Sequence, residues 1–82
     1  MARYLKRRES DISDLRRALD SAEFETIKTT GHNLFGSGAT YGLEQISTLG
    51  RGIEKAAEAR DSARIGELIV DLEHFLKGLK VR

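Results

Sequence analysis

The stretch IGELIVDLEHFLKGL, residues 65–79, has the clearest helical pattern in the chain. Its apolar side chains recur at intervals of three and four residues, which places them on one face of an α-helix. These side chains are Ile65, Leu68, Ile69, Leu72, Phe75, Leu76 and Leu79. Asp61 precedes them as a natural N-cap. A helix with such a face is stable only when the face packs against other elements, so the stretch predicts a helical partner.

The same spacing recurs upstream in three segments, at about 3–19, 22–36 and 41–59. Asp20 and Glu23 form a candidate capping box at the start of the second segment, and the glycine-rich residues 36–40 predict a tight turn after it. The residues expected to face inward are Leu5, Ile12, Leu15 and Leu19; Phe24, Ile27, Gly31, Leu34 and Phe35; and Leu43, Ile46, Leu49, Ile53 and Ala57.

Short connections between these segments predict an all-α fold, a small antiparallel bundle of four helices forming one domain over residues 1–82. The first helix has few apolar residues, which leaves open that it packs across one end. Gly31 and Gly50 both fall on inward faces, although glycine costs about 1 kcal/mol relative to alanine inside a helix. We expect them to let the second and third helices approach closely. Gly52 points outward by the same count, without a physical reason that the sequence supplies.

Composition excludes several classes of protein. The 82 residues include no cysteine, so neither a disulfide nor a thiolate metal site is expected. The formal net charge of +1 gives no basic excess for nucleic acid. No apolar run approaches the roughly 20 residues of a membrane span, and no signal peptide is apparent. We therefore expect a cytoplasmic protein with no nucleic-acid or membrane partner. The basic cluster Arg3, Lys6, Arg7 and Arg8 is interpreted as a solvated helix face, with a phosphate-binding arm as the alternative.

His32 is the candidate functional residue. At about 100° per residue it lies on the flank of its helix's apolar face, where solvent reaches it. Gly36 lies one turn further and leaves a clearing beside the ring, while Lys28 lies one turn back. A neutral imidazole is nucleophilic and carries a phosphoryl group reversibly. A lone helical histidine is more often an ordinary surface residue, which is how we interpret His74, and two histidines without cysteine make a poor metal site.

The run HNLFGSGATYG, residues 32–42, resembles the signature H-x-L-K-G-S-x-x-x-x-G of histidine phosphotransfer (HPt) domains. The matching positions are His32, Leu34, Gly36, Ser37 and Gly42. The flanking patterns DSAEFE at 20–25 and LGxxIExAA at 49–57 agree as well, so the resemblance covers essentially the whole chain.

The resemblance implies that His32 accepts a phosphoryl group from a receiver-domain aspartate and passes it to another. The catalytic groups and Mg²⁺ then belong to the receiver, so this chain is expected to be a carrier, not an enzyme, with no cofactor or metal of its own. The implied partner is the receiver domain of a response regulator or of a hybrid histidine kinase, and the chain is expected to be a monomer. The docking surface is expected to centre on His32 and to include Lys28, Thr29, Asn33, Gly36 and Ser37.

One position departs from the family pattern. Phe35 stands where relatives have a lysine that helps to hold the phosphoryl charge. We expect Lys28 to stabilise the phosphoryl group instead, and the positive N-terminus of the third helix, near Thr40 and Tyr41, to contribute if it folds back towards His32. Phe35 also keeps an alternative open, a helical module that binds a receiver or kinase without being phosphorylated. An adaptor acting through its basic first helix is a further alternative.

Overall fold

The computed structural model describes residues 2–80, which form four helices and, within that range, no strand. The helices are α1 (Ala2–Asp20), α2 (Phe24–Thr40), α3 (Glu44–Glu58) and α4 (Ser62–Lys80). Helix α1 contacts α2 and α4, and α3 contacts the same two helices, so the four are arranged in a ring. The long dimension, 34 Å, is close to the roughly 28 Å length of a 19-residue helix. The predicted all-α bundle is confirmed.

Helix α1 lies alongside α4 and not across an end of the bundle. Arg16 donates two hydrogen bonds to the carboxylate of Glu73, at 2.8 and 3.2 Å, and Leu19 faces Gly66 near the start of α4. The hydrogen bonds from Arg16 lower the pKa of Glu73. The apolar face of α1 is longer than the sequence pattern indicated, because Tyr4 and Ala18 are also buried. That extra burial lets α1 pack along its length.

The core contains nearly every apolar residue that the periodicity placed inward. The largest fully buried side chains are Leu15, Ile27, Leu34, Ile46, Ile53, Ile65, Ile69 and Leu72, which come from all four helices. Phe35 is the exception: it is half-buried at the outer edge of α2 and is not part of the core cluster. Its ring lies under the guanidinium of Arg51, whose Cζ is 5.3 Å from the ring centroid.

The three interhelical turns share one construction. The middle residue of each turn is left-handed, namely Ala22, Gly42 and Arg60, with φ of 54°, 71° and 55°. The next residue donates its backbone N–H to a carbonyl five residues back, at 2.7–2.9 Å. This is the hydrogen bond of a Schellman motif, which ends a helix by satisfying one of its last carbonyls. Three residues therefore separate each of the first three helices from the next one.

Two predicted boundaries are wrong. Residues 36–40 are the last turn of α2, not a loop, because Gly38 is buried against α3 and packing overrides the low helix propensity of glycine. The capping box does not form: Glu23 is the N-cap of α2, but its side chain makes no capping hydrogen bond. The cap predicted at Asp61 is confirmed, since its Oδ1 accepts the backbone N–H of Arg64 at 3.1 Å.

Helices α2 and α3 touch through their backbones at three glycines, Gly31, Gly38 and Gly50, which we call the glycine seam. A Cβ built on Gly31 would lie 2.7 Å from the backbone nitrogen of Glu54, and one on Gly38 would lie 2.5 Å from that of Ser47. A Cβ on Gly50 would lie 2.6 Å from the nitrogen of Phe35. Side chains do not fit at such distances, so the predicted role of Gly31 and Gly50 is confirmed.

Gly52, which had no explanation in the sequence, faces α4. A Cβ at this position would lie 3.3 Å from Cδ1 of Leu68. The residue is therefore not directed at open solvent, and its small size accommodates a core leucine of the neighbouring helix.

The seam is tested by comparing two glycine-to-alanine changes. Gly50→Ala should lower the free energy of unfolding by about 1–3 kcal/mol, because the new methyl group collides with backbone that has to move. Gly78→Ala is the matched control: a Cβ there meets nothing within 4 Å, so helix propensity should raise stability by about 0.5–1 kcal/mol. Urea unfolding measures both, and a Gly50→Ala variant as stable as the Gly78→Ala variant would contradict the close contact.

Candidate functional site

The seam determines what lies beside His32. A Cβ built on Gly31 would lie 2.8 Å from the carbonyl oxygen of Gly50 and 2.7 Å from the backbone nitrogen of Glu54. Gly31 therefore packs against both residues of α3, and the next residue, His32, lies near Glu54. His32 Nδ1 is accordingly 3.3 Å from Oε2 of Glu54. The histidine side chain is 68% exposed, whereas that of Glu54 is only 21% exposed. The ring is therefore held on one edge and open to solvent on the other.

The neighbouring carboxylate bears on which ring nitrogen of a neutral imidazole carries the proton. A carboxylate only accepts hydrogen bonds, so it favours the imidazole that carries its proton on Nδ1. In that tautomer the lone pair available for reaction is on Nε2. Glu54 was not predicted as a site residue, although it belongs to the LGxxIExAA pattern. Its position four residues after the inward Gly50, and so on the same face of the third segment, was the signal that could have identified it.

A second pair lies one turn further along the seam. Phe35 is four residues after Gly31 and Arg51 is one after Gly50, which repeats the antiparallel register. The guanidinium of Arg51 lies over the Phe35 ring at 5.3 Å, within the range of a cation–π contact. The position that the family pattern gives to a lysine is therefore occupied by an aromatic ring with a cation above it.

Lys28 lies one turn before His32, as expected, but it has an ionic partner. Its Nζ is 3.7 Å from Oε2 of Glu58, and both side chains are partly exposed, at 39% and 53%. The predicted contribution of the N-terminus of α3 is wrong. That helix begins at Glu44, whereas His32 lies beside Glu54, about 15 Å further along the helix axis.

The remaining predicted residues of α2 divide into two groups. Thr29, Asn33 and Gly36 are exposed together with His32, and nothing lies within 4 Å of a Cβ built on Gly36. The expected clearing beside the ring is present. Ser37 lies instead on the side of α2 that faces α1, and its hydroxyl is used within the fold.

The hydroxyl of Ser37 belongs to a polar cluster between α1 and α2. Its Oγ accepts a hydrogen bond from Arg8 at 2.7 Å and lies 3.1 Å from the hydroxyl of Tyr4. Arg8 also forms an ion pair with Asp11 at 2.7 Å, and burial raises the pKa of that aspartate. Tyr41 stacks on Tyr4 with ring centroids 4.3 Å apart. The cluster fixes α1 against the end of α2 that follows His32.

Arg8 corrects the interpretation of the N-terminal basic cluster. It is buried, while Arg3, Lys6 and Arg7 are exposed. One member of the cluster therefore has a structural role, and only the other three form a solvated face.

The exposed side of α2 carries no formal charge after Lys28. Residues 29–43 include no Asp, Glu, Lys or Arg, in a chain in which a third of the residues are charged. The exposed members in α2 are small or polar: Thr29, His32, Asn33, Gly36, Ala39 and Thr40. We call these six residues the α2 face. An uncharged surface that includes an exposed histidine fits docking by another protein better than binding of a charged small molecule.

Other kinds of site find no support within residues 2–80. No group of three or more His, Cys, Asp or Glu side chains is placed to hold a metal ion there. His74 is exposed on α4. None of the helices described is long and apolar enough to cross a membrane.

Fold and site together define a class of protein, a helical bundle that presents one exposed, carboxylate-supported histidine beside an uncharged face. A scan against protein-family models matches residues 1–80 to the model described as Hpt domain. The chain belongs to the Hpt domain family, which implies a role in phosphorelay histidine phosphotransfer with receiver domains as partners. Comparisons with curated proteins and with solved structures gave no significant match.

The role of Glu54 is tested by the tautomer of His32. In the wild type, long-range ¹H–¹⁵N NMR at about pH 8.5, where a free imidazole is neutral, should show the proton mainly on Nδ1 of His32. Glu54→Ala should reduce that population, because the acceptor that selects it is gone. His74 is exposed and serves as the reference within the same spectrum. Equal tautomer ratios at the two histidines of the wild type would contradict the assignment.

Proposed function

We propose that His32 is the phosphoryl carrier of this chain. It accepts the group from the phosphoaspartate of a receiver domain and passes it to the aspartate of another receiver. The observation that carries the proposal is the placement of the ring, with Nδ1 3.3 Å from the shielded carboxylate of Glu54 and 68% of the side chain exposed. A docking protein has access to the ring without any rearrangement of the bundle.

No proton leaves the chain during the transfer step. The lone pair of Nε2 attacks phosphorus, the Nε2–P bond forms, and the bond between phosphorus and the aspartate oxygen breaks. The electron pair of that bond stays with the aspartate carboxylate. The ring becomes a positively charged imidazolium that keeps its proton on Nδ1, and the negative charge of Glu54 offsets this charge. The reverse reaction uses the same atoms.

This chain supplies the nucleophile and its orientation, and the partner supplies the rest. In-line transfer requires the attacking and leaving atoms to face each other, so the surroundings of the ring have to be free of bulk. Gly36 gives that freedom one turn away. The Mg²⁺ and the groups that stabilise the transferring phosphoryl are those of the receiver, so the chain is a carrier and not an enzyme in its own right.

The docking surface is the α2 face together with Lys28. Ser37, predicted from the sequence as a docking residue, is left out because its hydroxyl is held by Tyr4 and Arg8. A relay encounter has to be transient, so the interface should bury on the order of 1,200 Å² or less. We propose that the chain acts as a monomer in the cytoplasm, where receivers operate.

The proposed function is tested by phosphoryl transfer from labelled receivers. A panel of the receiver domains encoded in the same genome is charged with radioactive acetyl phosphate and mixed with wild type, His32→Gln or His74→Gln. Wild type and His74→Gln should take up acid-labile, base-stable label, and His32→Gln should take up none, because the only nucleophile of the site is gone. Label on His32→Gln would contradict the proposal, and binding without any label on wild type would favour the non-phosphorylated interaction module.

The position of the docking surface is tested by adding bulk to it. Gly36→Arg should slow transfer at least about 100-fold, because a long side chain one turn from the ring prevents in-line approach. The helix content should be unchanged, since the residue has open space around it. Gly78→Arg, at an equally open site on α4, is the matched control and should transfer normally. A Gly36→Arg variant with normal rates would show that the receiver docks elsewhere.

A further inference from the structure

A cation without an acidic partner among the described residues, Arg51, lies on α3 three residues before Glu54. Among the described residues, no carboxylate is within ion-pair distance of the Arg51 guanidinium. The guanidinium lies instead over the Phe35 ring. Lys28, by contrast, is paired with Glu58. Several other arginines of the bundle, including Arg8, Arg16 and Arg64, are paired as well.

We propose that Arg51 is the residue that binds the phosphoryl group on His32, and that Phe35 serves as the platform that holds its guanidinium beside the site. This inference rests on the proposed function of His32 and names the charge contact that the function requires. It replaces the sequence-based expectation that Lys28 is the principal cation.

The register of the seam brings Arg51 to the right level. His32 lies beside Glu54, and Phe35, three residues further along α2, lies under Arg51, three residues earlier in α3. Side chains three residues apart on a helix have Cβ atoms about 5–6 Å from each other. A phosphoryl group on Nε2 extends outward from the ring of His32, so its oxygens come within reach of a guanidinium held over the neighbouring side chain.

The contact between Arg51 and Phe35 suits the reversible binding of an anion. The face of the Phe35 ring carries negative potential and attracts the guanidinium without neutralising it, so the donors at its edge remain available. Guanidinium binds phosphate oxygens through two parallel hydrogen bonds, which a single ammonium does not reproduce. Phe35 therefore does more than replace the lysine of the family pattern, because it orients Arg51, a cation of the adjacent helix.

Arg51 also counters an electrostatic conflict within the site. Glu54 favours the Nδ1 proton, but its negative charge repels the phosphoryl oxygens that arrive on the other side of the ring. Arg51, one turn away on the same helix, offsets this repulsion while leaving the contact with Nδ1 intact. Lys28 lies one turn before His32 on α2, but its charge is shared with Glu58.

The test uses a small-molecule donor, so that it does not depend on any receiver. His32 is phosphorylated with phosphoramidate in a His74→Gln background, which leaves one histidine in the chain, and ³¹P NMR follows the phosphoryl resonance against pH. A nearby cation favours the doubly ionised phosphoryl group. Arg51→Ala should therefore move the titration midpoint upward by about 0.5 pH unit, and Lys28→Ala should move it less.

Two further variants separate charge from structure. Adding Phe35→Lys to Arg51→Ala should return the midpoint to near that of the parent, because a cation again lies beside the ring. Arg51→Gln preserves the length and polarity of the side chain and should behave like Arg51→Ala. With labelled receivers, Arg51→Ala should also lower the equilibrium share of phosphate on His32 by about three- to ten-fold, an effect that high salt should diminish.

The outcomes distinguish this inference from the function on which it rests. A midpoint that Arg51→Ala leaves unchanged, or that Lys28→Ala moves more, overturns the role of Arg51 even if receivers label His32 normally. If no receiver labels the wild type but Arg51→Ala still moves the midpoint, the proposed function fails and the anion-binding role of Arg51 stands.

Discussion

Helices α2 and α3 meet backbone to backbone at Gly31, Gly38 and Gly50, and the rest of the site depends on that contact. Where no side chain separates two helices, their register cannot slide without a collision. The hydroxyl of Ser47 in α3 also donates a hydrogen bond to the carbonyl of Phe35 in α2, at 2.9 Å, and this bond fixes the same register. The glycines lower intrinsic helix stability, and the compensation is a rigid alignment of two particular helix faces.

That alignment explains how side chains of two helices meet at one candidate site. His32 and Phe35 project from α2, and the groups that act on them, Glu54 and Arg51, project from α3. The site is thus divided between two helices whose relative position the seam sets. The polar cluster around Ser37 holds α1 on the opposite side of α2, so the exposed face between these two supports stays uncovered.

The sequence was sufficient for the architecture because burial of apolar faces decides it. Periodicity identified four helices and nearly all of the core, and the two inward glycines predicted the close contact. It failed where tertiary packing overrides local preference. The pattern of residues 36–40 predicted a turn because glycine is a poor helix former. Gly38 is nevertheless helical, and it packs against Ser47 where only a residue without a side chain fits.

Tertiary packing also explains why the sequence predicted only part of the site. Exposure of His32 and the clearing at Gly36 follow from positions on a single helix, which the sequence gives directly. The contacts with Glu54 and Arg51 depend on the register between two helices, which periodicity alone does not fix. The role expected of Lys28 follows from its position on the same helix, whereas its ion pair with Glu58 depends on the register between α2 and α3.

The central claim is that the seam presents one particular nitrogen of His32 to the partner. The most direct measurement is the attachment point of phosphorus on the ring, read from ¹⁵N–³¹P coupling in the phosphorylated, ¹⁵N-labelled chain. The account requires phosphorus on Nε2 and a proton on Nδ1. Phosphorus on Nδ1 after transfer from a receiver would contradict it, because that nitrogen is the one that lies against Glu54.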